Sequence, residues 1–199
     1  MPSQIKQIIA KIEALQDELE QAYDKHKKDF GFTIEKHKVR FQQQELTLQK
    51  SFKRFLITYV VKARILVFLT APVIYSLILP LALLDLFVTI YQAICFPAYK
   101  MEKVKRRGYI VFDRHKLGYL NLLEKLNCAY CSYGNGVLAY ASEVAARTES
   151  YWCPIKHAQK LTANHRHYQD FAEFGDAENY LAELKRNMEK VQKSEDTTT

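Results

Sequence analysis

The residues best suited to chemistry are three cysteines and one histidine in a single short stretch. The stretch reads CAYCSYGNGVLAYASEVAARTESYWCPIKH and holds C-x2-C, a gap of about twenty residues, and then C-x3-H. Thiolate and imidazole ligands in this local spacing are typical of a four-ligand zinc site, with iron as the second choice. The pattern therefore predicts metal ligation by Cys128, Cys131, Cys153 and His157.

Two other roles for these thiols stay open. A C-x2-C pair in a reducing compartment can cycle as a redox pair. Against this, Cys128 and Cys131 are expected near a helix C-terminus, where the helix dipole disfavours a thiolate. Cysteine is also a common buried residue that packs without doing chemistry. Metal binding, thiol redox and packing are therefore three competing hypotheses.

The elements that position the cysteines are predicted to form an antiparallel helical hairpin. Leucines recur at helical spacing over residues 113–131, Gly134-Asn135-Gly136 is a turn signal, and a second helix is expected over 137–151. Pro154 suits the first turn of a third helix. A straight second helix is about 22 Å long. One chain with this hairpin therefore cannot close a single four-ligand site, which would need a broken helix, two sites or a second protomer.

A smaller cluster of ligand types is expected at the other end of this hairpin. His115 lies at the start of the first helix, whereas Glu149, Cys153 and His157 are four residues apart and share a face if the helix continues. Mixed ligation of this kind suits zinc or iron. His115 and Glu149 are therefore secondary ligand candidates. Further ligand types nearby in the sequence are His165, His167 and Asp170.

A long apolar block precedes the cysteine stretch. Between Arg64 and Lys100 it runs for about 35 residues with Asp85 as its only charge, well beyond the roughly 18 residues that mark a membrane-span candidate. Pro72 and Pro80 favour kinks or breaks in a helix. Both flanks are basic, with Lys50, Lys53, Arg54, Lys62 and Arg64 before the block and Lys100, Lys103, Lys105, Arg106 and Arg107 after it.

Two basic flanks indicate that both ends of the block, and with them both termini of the chain, stay on the cytoplasmic side. The preferred arrangement is a bent membrane hairpin that turns near Leu79-Pro80. A single kinked span and an interfacial helix are the alternatives. Asp85 is expected to play a structural part close to that turn, and Cys95 to pack as a small apolar residue.

The two ends of the chain predict amphipathic, coiled-coil-like helices. A second N-terminal helix is expected from about Ile34 through Phe55, and a C-terminal helix after Gly175 with Asp176 as its N-cap. Helices this short are marginal alone. We therefore expect them to pair with each other, across a homo-oligomer or with a partner protein. The apolar stripes comprise Ile5, Ile8, Ile12, Leu15, Leu19 and Ala22 at one end and Leu181, Leu184, Met188 and Val191 at the other.

Charge and cysteine content limit the function classes. Lys and Arg outnumber Asp and Glu by 29 to 22, a modest excess that suits an anionic membrane surface. The cations cluster at the flanks of the apolar block, so no nucleic-acid partner is predicted. Four cysteines in 199 residues and the lack of a signal-peptide core favour a reducing compartment. No phosphate loop, nucleotide fingerprint or hydrolase elbow predicts a reaction.

Four phrases of the sequence resemble an uncharacterised family of bacterial membrane proteins. They are YIVFDRH, NCAYCSYGNG, EVAARTESYWCPIKHA and LLDLFVTIYQAICFPAY. The resemblance covers roughly residues 64–158, and YWCPIKHA is its most distinctive part. It implies a bacterial inner-membrane location and supports the Cys and His residues as a site, but it implies no activity.

Together these features predict an all-α protein with four regions. They are N-terminal amphipathic helices (1–55), a membrane-embedded hairpin or kinked span (56–100), a cytoplasmic Cys/His helical hairpin domain (101–175), and a C-terminal helix and tail (176–199). The preferred function is membrane-embedded metal binding, with zinc or iron and an undetermined reaction. A non-catalytic membrane scaffold and a membrane thiol oxidoreductase are the alternatives.

Overall fold

The computed structural model describes residues 3–28, 32–35, 38–41, 43–52 and 65–193 and is mostly helical, which confirms the predicted helical class. The described residues before 63 form one compact unit with residues 113–126, and residues 65–112 form a second with 127–193. The basic residues between 53 and 64, on the N-terminal flank of the apolar block, and the polar tail from residue 194 lie outside the described residues. The elements are α1 (Ser3–Lys28), β1 (Phe32–Glu35), β2 (Lys38–Phe41), α2 (Gln43–Ser51), α3 (Ile65–Ser76), α4 (Ile78–Ala98), α5 (Leu122–Trp152) and α6 (Tyr180–Lys193).

The first unit contains a β-hairpin where a helix from about Ile34 was expected, so that prediction is wrong. β1 and β2 pair antiparallel, with Phe32 opposite Phe41 and Glu35 opposite Lys38. The segments FTIE and KVRF alternate apolar and polar residues with period two, which is the pattern of a strand rather than a helix. The helical pattern resumes only in α2.

Residues from beyond the apolar block complete this first unit. The Lys116 Nζ atom donates to the Val39 carbonyl oxygen at 3.0 Å, and the Gly118 N–H donates to Gln49 Oε1 at 2.9 Å. A Cβ atom at Gly118 would lie 3.2 Å from the Gln49 Cβ, so the two segments approach closely. The chain before the block therefore folds together with the chain after it.

The apolar block is a continuous helical segment, and the turn predicted near Leu79-Pro80 is wrong. Leu77, between α3 and α4, keeps right-handed helical dihedrals (φ −64°, ψ −13°), and its carbonyl oxygen accepts the Leu81 N–H at 3.2 Å. Pro80 removes one donor, but the bonds on either side of it carry the helix through. The stretch Leu69–Ala98 is long and apolar enough to span a membrane by length and composition.

The long helix α5 replaces the predicted helix–turn–helix. It passes without a break through Gly134-Asn135-Gly136, so the predicted hairpin and its turn are wrong. The helix does not begin at residue 113 either, because only Arg114–Lys116 there form a short 3₁₀ helix. A reciprocal cap sets its start, since Asn121 Oδ1 accepts the Glu124 N–H and Glu124 Oε2 accepts the Asn121 N–H, both at 2.9 Å.

Two glycines of α5 lie where other parts of the chain approach the helix. A Cβ atom at Gly136 would lie 2.7 Å from the Tyr109 carbonyl oxygen and 2.9 Å from the Ile110 Cα. At Gly134 it would lie 3.3 Å from the Leu81 Cδ1. These glycines therefore serve close packing rather than a turn.

No helix begins at Pro154, so that prediction is also wrong. The Pro154 carbonyl oxygen accepts the Ala172 N–H, and the Ala172 carbonyl oxygen accepts the Lys156 N–H, both at 2.8 Å. This parallel bridge, centred on Ile155 and Ala172, closes a loop. This loop, residues 156–171, contacts the second half of α5 and is called the returning loop.

The core of the second unit joins α4, α5 and α6. Val191 of α6 is buried in it, and its carbonyl oxygen accepts the Glu102 N–H at 3.4 Å. The apolar stripe of α6 therefore packs at least partly within its own unit and does not depend wholly on pairing with another helix. Asp176 Oδ1 accepts the Asn179 N–H at 3.2 Å, and the helix begins at Tyr180. The core residues are Phe96, Met101, Val104, Tyr140, Val144 and Val191.

Candidate functional site

The structure separates the two halves of the predicted cysteine site. Cys128 and Cys131 lie in the first third of α5, whereas Cys153 directly follows its last residue. The helix between Cys131 and Cys153 spans about 33 Å, but the ligands of one metal ion lie within about 2.3 Å of it. One chain therefore does not bring the four predicted ligands together. Within the described ranges, no group of three or more His, Cys, Asp or Glu residues could hold a metal ion.

The environment of the thiols does not favour redox chemistry. Burial, followed by the negative charge of Glu149, raises the pKa of the Cys153 thiol, and a raised pKa lowers the thiolate population that such chemistry uses. Cys128 and Cys131 lie inside the body of α5, not at a helix C-terminus as expected, and beyond the first turn, where the dipole acts most strongly. All four cysteines are free thiols.

The returning loop places histidines against the second half of α5. Glu149 Oε2 lies 3.0 Å from His165 Nε2, and the His165 Nδ1 atom is buried without a hydrogen-bond partner among the described residues. Two predicted ligands, Glu149 and His157, share one open cavity of about 260 Å³ here. Its lining residues are Ser142, Glu149, His157, Leu161, Ala163, Asn164, His165 and Tyr168. The secondary candidate His115 belongs to the 3₁₀ helix Arg114–Lys116 of the first unit.

Glu143 is the centre of a buried ionic cluster beside this cavity. Its side chain is 8% exposed, and Oε1 accepts hydrogen bonds from Arg147 Nε at 2.9 Å and Arg166 Nη2 at 2.6 Å, with His167 Nε2 at 3.3 Å. Burial by itself raises the pKa of Glu143, but the bonds to His167, Arg147 and Arg166 outweigh it and lower the pKa to about 2. The carboxylate therefore stays ionised and holds the returning loop on α5.

A second polar cluster lies along the inner face of α4. Asp85 accepts two hydrogen bonds from Arg106, at 2.8 and 2.5 Å, and one from the Tyr133 hydroxyl at 3.0 Å. Gln92 bonds both backbone groups of Val104, its Nε2 donating at 3.2 Å and its Oε1 accepting at 2.6 Å. Asp85 and Gln92 are 8% and 6% exposed. The expected structural part of Asp85 is thus seen in an ion pair with Arg106, away from any turn.

The outer face of α4 is apolar and uncovered. Its large side chains recur every three or four residues and are 45–67% exposed, whereas the polar residues face inward. A surface helix of a water-soluble protein turns its apolar stripe to the core and its polar residues outward. Although α4 buries Phe96 in the core, it also buries Asp85 and Gln92 and leaves the large apolar side chains of its outer face exposed. The outer-face residues are Leu79, Leu83, Leu86, Phe87, Ile90 and Ile94.

Several residues of these clusters, Glu143, Arg106 and Arg166 among them, were not among the predicted site residues. Arg106 was noted only as a flanking cation, and neither Arg166 nor Glu143 was singled out. The detectable signal was Asp85, the single charge in the apolar block, since a buried carboxylate needs a cationic partner. Comparisons with protein-family models, curated proteins and solved structures found no match to this chain.

Proposed function

We propose that this protein is a non-catalytic scaffold that α4 attaches to a membrane. The observation that carries the proposal is the polarity of α4, with Asp85 and Gln92 buried inside the unit and six large apolar side chains turned outward. A contiguous apolar face of this size on a soluble monomer marks an interaction surface. Lipid is the proposed occupant, because the face is uninterrupted by charge over the whole helix.

The free energy available from this face is sufficient for attachment. Full burial of a Leu, Ile or Phe side chain stabilises by roughly 1.5–3 kcal/mol, and these six are about half exposed. Transfer of the exposed portions into lipid therefore stabilises the attached state by roughly 5–9 kcal/mol in total. The neighbouring exposed side chains of α3, such as Leu69 and Val73, add to this figure.

The proposed location is the cytoplasmic face of a bacterial inner membrane, with both termini on that side. The contacts of Val39 with Lys116 and of Gln49 with Gly118 join the chain before the apolar block to the chain after it. They therefore support a location of both flanks on the same side of the membrane. The basic residues from Lys100 to Arg107 support the cytoplasmic face.

The proposed scaffold role depends on α1. Ile8, Ile12, Leu15 and Leu19 follow the predicted seam and are 43–63% exposed. We infer that this stripe recruits a second copy of the chain or a partner helix, since a helix with an exposed apolar stripe is stabilised by pairing. In this proposal, α6 contributes less, because Val191 packs into the core of its own unit.

Cell fractionation tests the proposal. The full chain, expressed in a bacterium, should remain in the membrane pellet, whereas Leu83→Lys with Ile90→Lys should move mostly to the soluble fraction, because two cations on the outer face oppose burial in lipid. The matched control is Gln159→Lys with Gln169→Lys, which adds the same charge at exposed positions. A soluble native protein, or equal pelleting of both variants, would contradict the proposal.

Metal binding is a second proposal, now for two chains rather than one. Cys131, in the first third of α5, and Cys153, just beyond its last residue, are both exposed, so an antiparallel pair of chains could set Cys128 and Cys131 of one against Cys153 and His157 of the other. Elemental analysis of the detergent-purified protein tests this. About one zinc or iron per chain, lost together with the dimer in Cys153→Ser, is the expected result. A metal-free native protein prepared without chelator would contradict it.

A further inference from the structure

Building on the membrane attachment proposed above, we propose that α3–α4 lies parallel to the bilayer plane, immersed in a single leaflet of an anionic membrane. In this arrangement the outer face of α4 contacts acyl chains along its whole length. The segment from Lys100 to Arg107 contacts phosphate headgroups. The helix does not cross the bilayer, although it is long enough to do so.

The chain segments on either side of the apolar block contact each other. Residues 38–52 precede the apolar block and residues 113–126 follow it, yet they belong to one unit and are joined by hydrogen bonds of 2.9 and 3.0 Å. A single crossing would separate these segments by a hydrocarbon layer about 30 Å thick. The contacts therefore require both segments to be on the same side.

The segment that follows α4 brings charged side chains to the middle of the apolar helix. It turns back along the helix, so that Val104 bonds Gln92 and Arg106 bonds Asp85. Asp85 lies near the middle of Leu69–Ala98. A perpendicular crossing would therefore place the Asp85–Arg106 pair and the adjacent cations near the bilayer centre, where charged groups are most costly.

Polar and apolar side chains lie on opposite faces of α4. Leu83, Phe87 and Ile94 are 46–67% exposed on one face, whereas Asp85 and Gln92 are buried against the protein on the other. A helix lying in the interface needs one face for lipid and an opposite face directed away from it. The division is clearest from Leu83 to Ile94, where the exposed apolar face and the buried polar face lie side by side over about three turns of the helix.

The segment that directly follows α4 is strongly basic. From Lys100 to Arg107, five of eight residues are Lys or Arg and one is Glu, and Lys100, Lys103 and Arg107 are exposed. Cations near an anionic bilayer each strengthen binding by about fivefold. This segment therefore favours a phospholipid surface over the face of a second copy of this basic chain.

Spin-label depth measurements distinguish lying flat from crossing. Single cysteines replace Leu79, Leu83, Phe87, Ile90 or Ile94 in the full chain, with the four native cysteines changed to serine. The protein is bound to phosphatidylcholine vesicles that contain about a quarter phosphatidylglycerol. We expect all five labels at one depth within a few ångströms. A crossing helix would instead spread the first and last labels over about 22 Å, and that gradient would overturn the inference.

Other outcomes separate this inference from the proposed function. Labels that are shielded from oxygen and coupled to each other would identify a second copy on the apolar face and overturn the inference. No binding to vesicles by the native protein would contradict the membrane attachment itself. Trypsin digestion of the unmodified vesicle-bound protein provides a check without variants. Cleavage from outside at both Lys11 and Lys185 supports a location of both ends on the same side of the bilayer, whereas protection of either end contradicts it.

A second pair of variants tests the headgroup contact. Lys103→Gln with Arg107→Gln should weaken binding to the anionic vesicles about 25-fold and leave binding to pure phosphatidylcholine unchanged. The matched control is Lys160→Gln with Lys185→Gln, which removes two exposed cations from other segments. Equal loss in both pairs would show that net charge, rather than this segment, meets the headgroups, and would overturn that part of the inference.

Discussion

The Glu143 carboxylate connects the returning loop to α5 through three partners on two elements. Arg147 belongs to the same helix, whereas Arg166 and His167 come from the loop. Removing one member of a buried ionic group leaves the others unpaired, which costs more than the group contributes as a whole. Loss of Glu143 should therefore release the loop as well as destabilise the helix contact.

Acid should destabilise the protein through Glu143. Its pKa in the folded state is about 2 against a usual value of 4.5, so the unfolded chain takes up the proton first as the pH falls. The stabilisation is complete above about pH 4.5 and is lost between there and about pH 2, by at most about 3 kcal/mol. Denaturant unfolding in mild detergent at several pH values measures it. Glu143→Gln should flatten this dependence, whereas the exposed control Glu178→Gln should preserve it; an unchanged profile in Glu143→Gln would contradict the cluster.

Glu149 should control the reactivity of Cys153. Burial and the charge of Glu149 raise the pKa of this thiol, so Glu149→Gln should increase the thiolate fraction at neutral pH and speed alkylation of Cys153. Mass spectrometry after timed exposure to iodoacetamide measures the rate, and Cys131 in the same molecule is the internal reference. An unchanged ratio of the two rates would show that Glu149 does not influence the thiol.

At the scale of elements, local sequence predicted helices well but placed their breaks poorly. Gly134-Asn135-Gly136 and Leu79-Pro80 both look like turns, yet helix continues through each. The glycines remain helical because the Tyr109–Ile110 backbone and Leu81 pack against them, and such tertiary contacts outweigh the propensity of a single residue. The unbroken helix also moves the two halves of the predicted cysteine site further apart than the hairpin would have done, although the hairpin itself could not have closed the site within one chain.

Gly136→Ala tests this reading of α5. The added methyl group would lie 2.7 Å from the Tyr109 carbonyl oxygen, so we expect a loss of about 1–3 kcal/mol in unfolding free energy despite the better helix propensity of alanine. Gly134→Ala is the matched control, because its new Cβ meets only the tip of the Leu81 side chain at 3.3 Å. Thermal unfolding followed by circular dichroism measures both, and greater stability of Gly136→Ala would contradict close packing there.

For the whole molecule, two helices, α4 and α1, each present an exposed apolar surface. The sequence predicted the apolar block and the α1 seam from composition and period alone. It did not predict that residues 101–112 turn back along α4, because that path depends on distant pairs such as Asp85 with Arg106. The orientation at a membrane follows from that path rather than from hydropathy.

Self-association or partner binding should depend on α1. Ile12→Asp with Leu15→Asp places two charges in the exposed seam, and we expect at least a tenfold weaker association because charges are disfavoured in a helix interface. Analytical ultracentrifugation of the detergent-solubilised chain measures self-association, and crosslinking in cells detects partners. The control Gln16→Asp with Gln21→Asp adds the same charge to exposed polar positions. Equal effects of the two pairs would contradict a role for the seam.

Vesicle flotation of the purified full chain tests the central claim most directly. With vesicles containing phosphatidylglycerol, the native protein should rise with the lipid. The fraction of the Leu83→Lys, Ile90→Lys variant that rises should be at least tenfold smaller. Its circular dichroism should match the native spectrum, since both positions face outward. A native protein that stays at the bottom, or a variant that floats equally well, would contradict attachment through the outer face of α4.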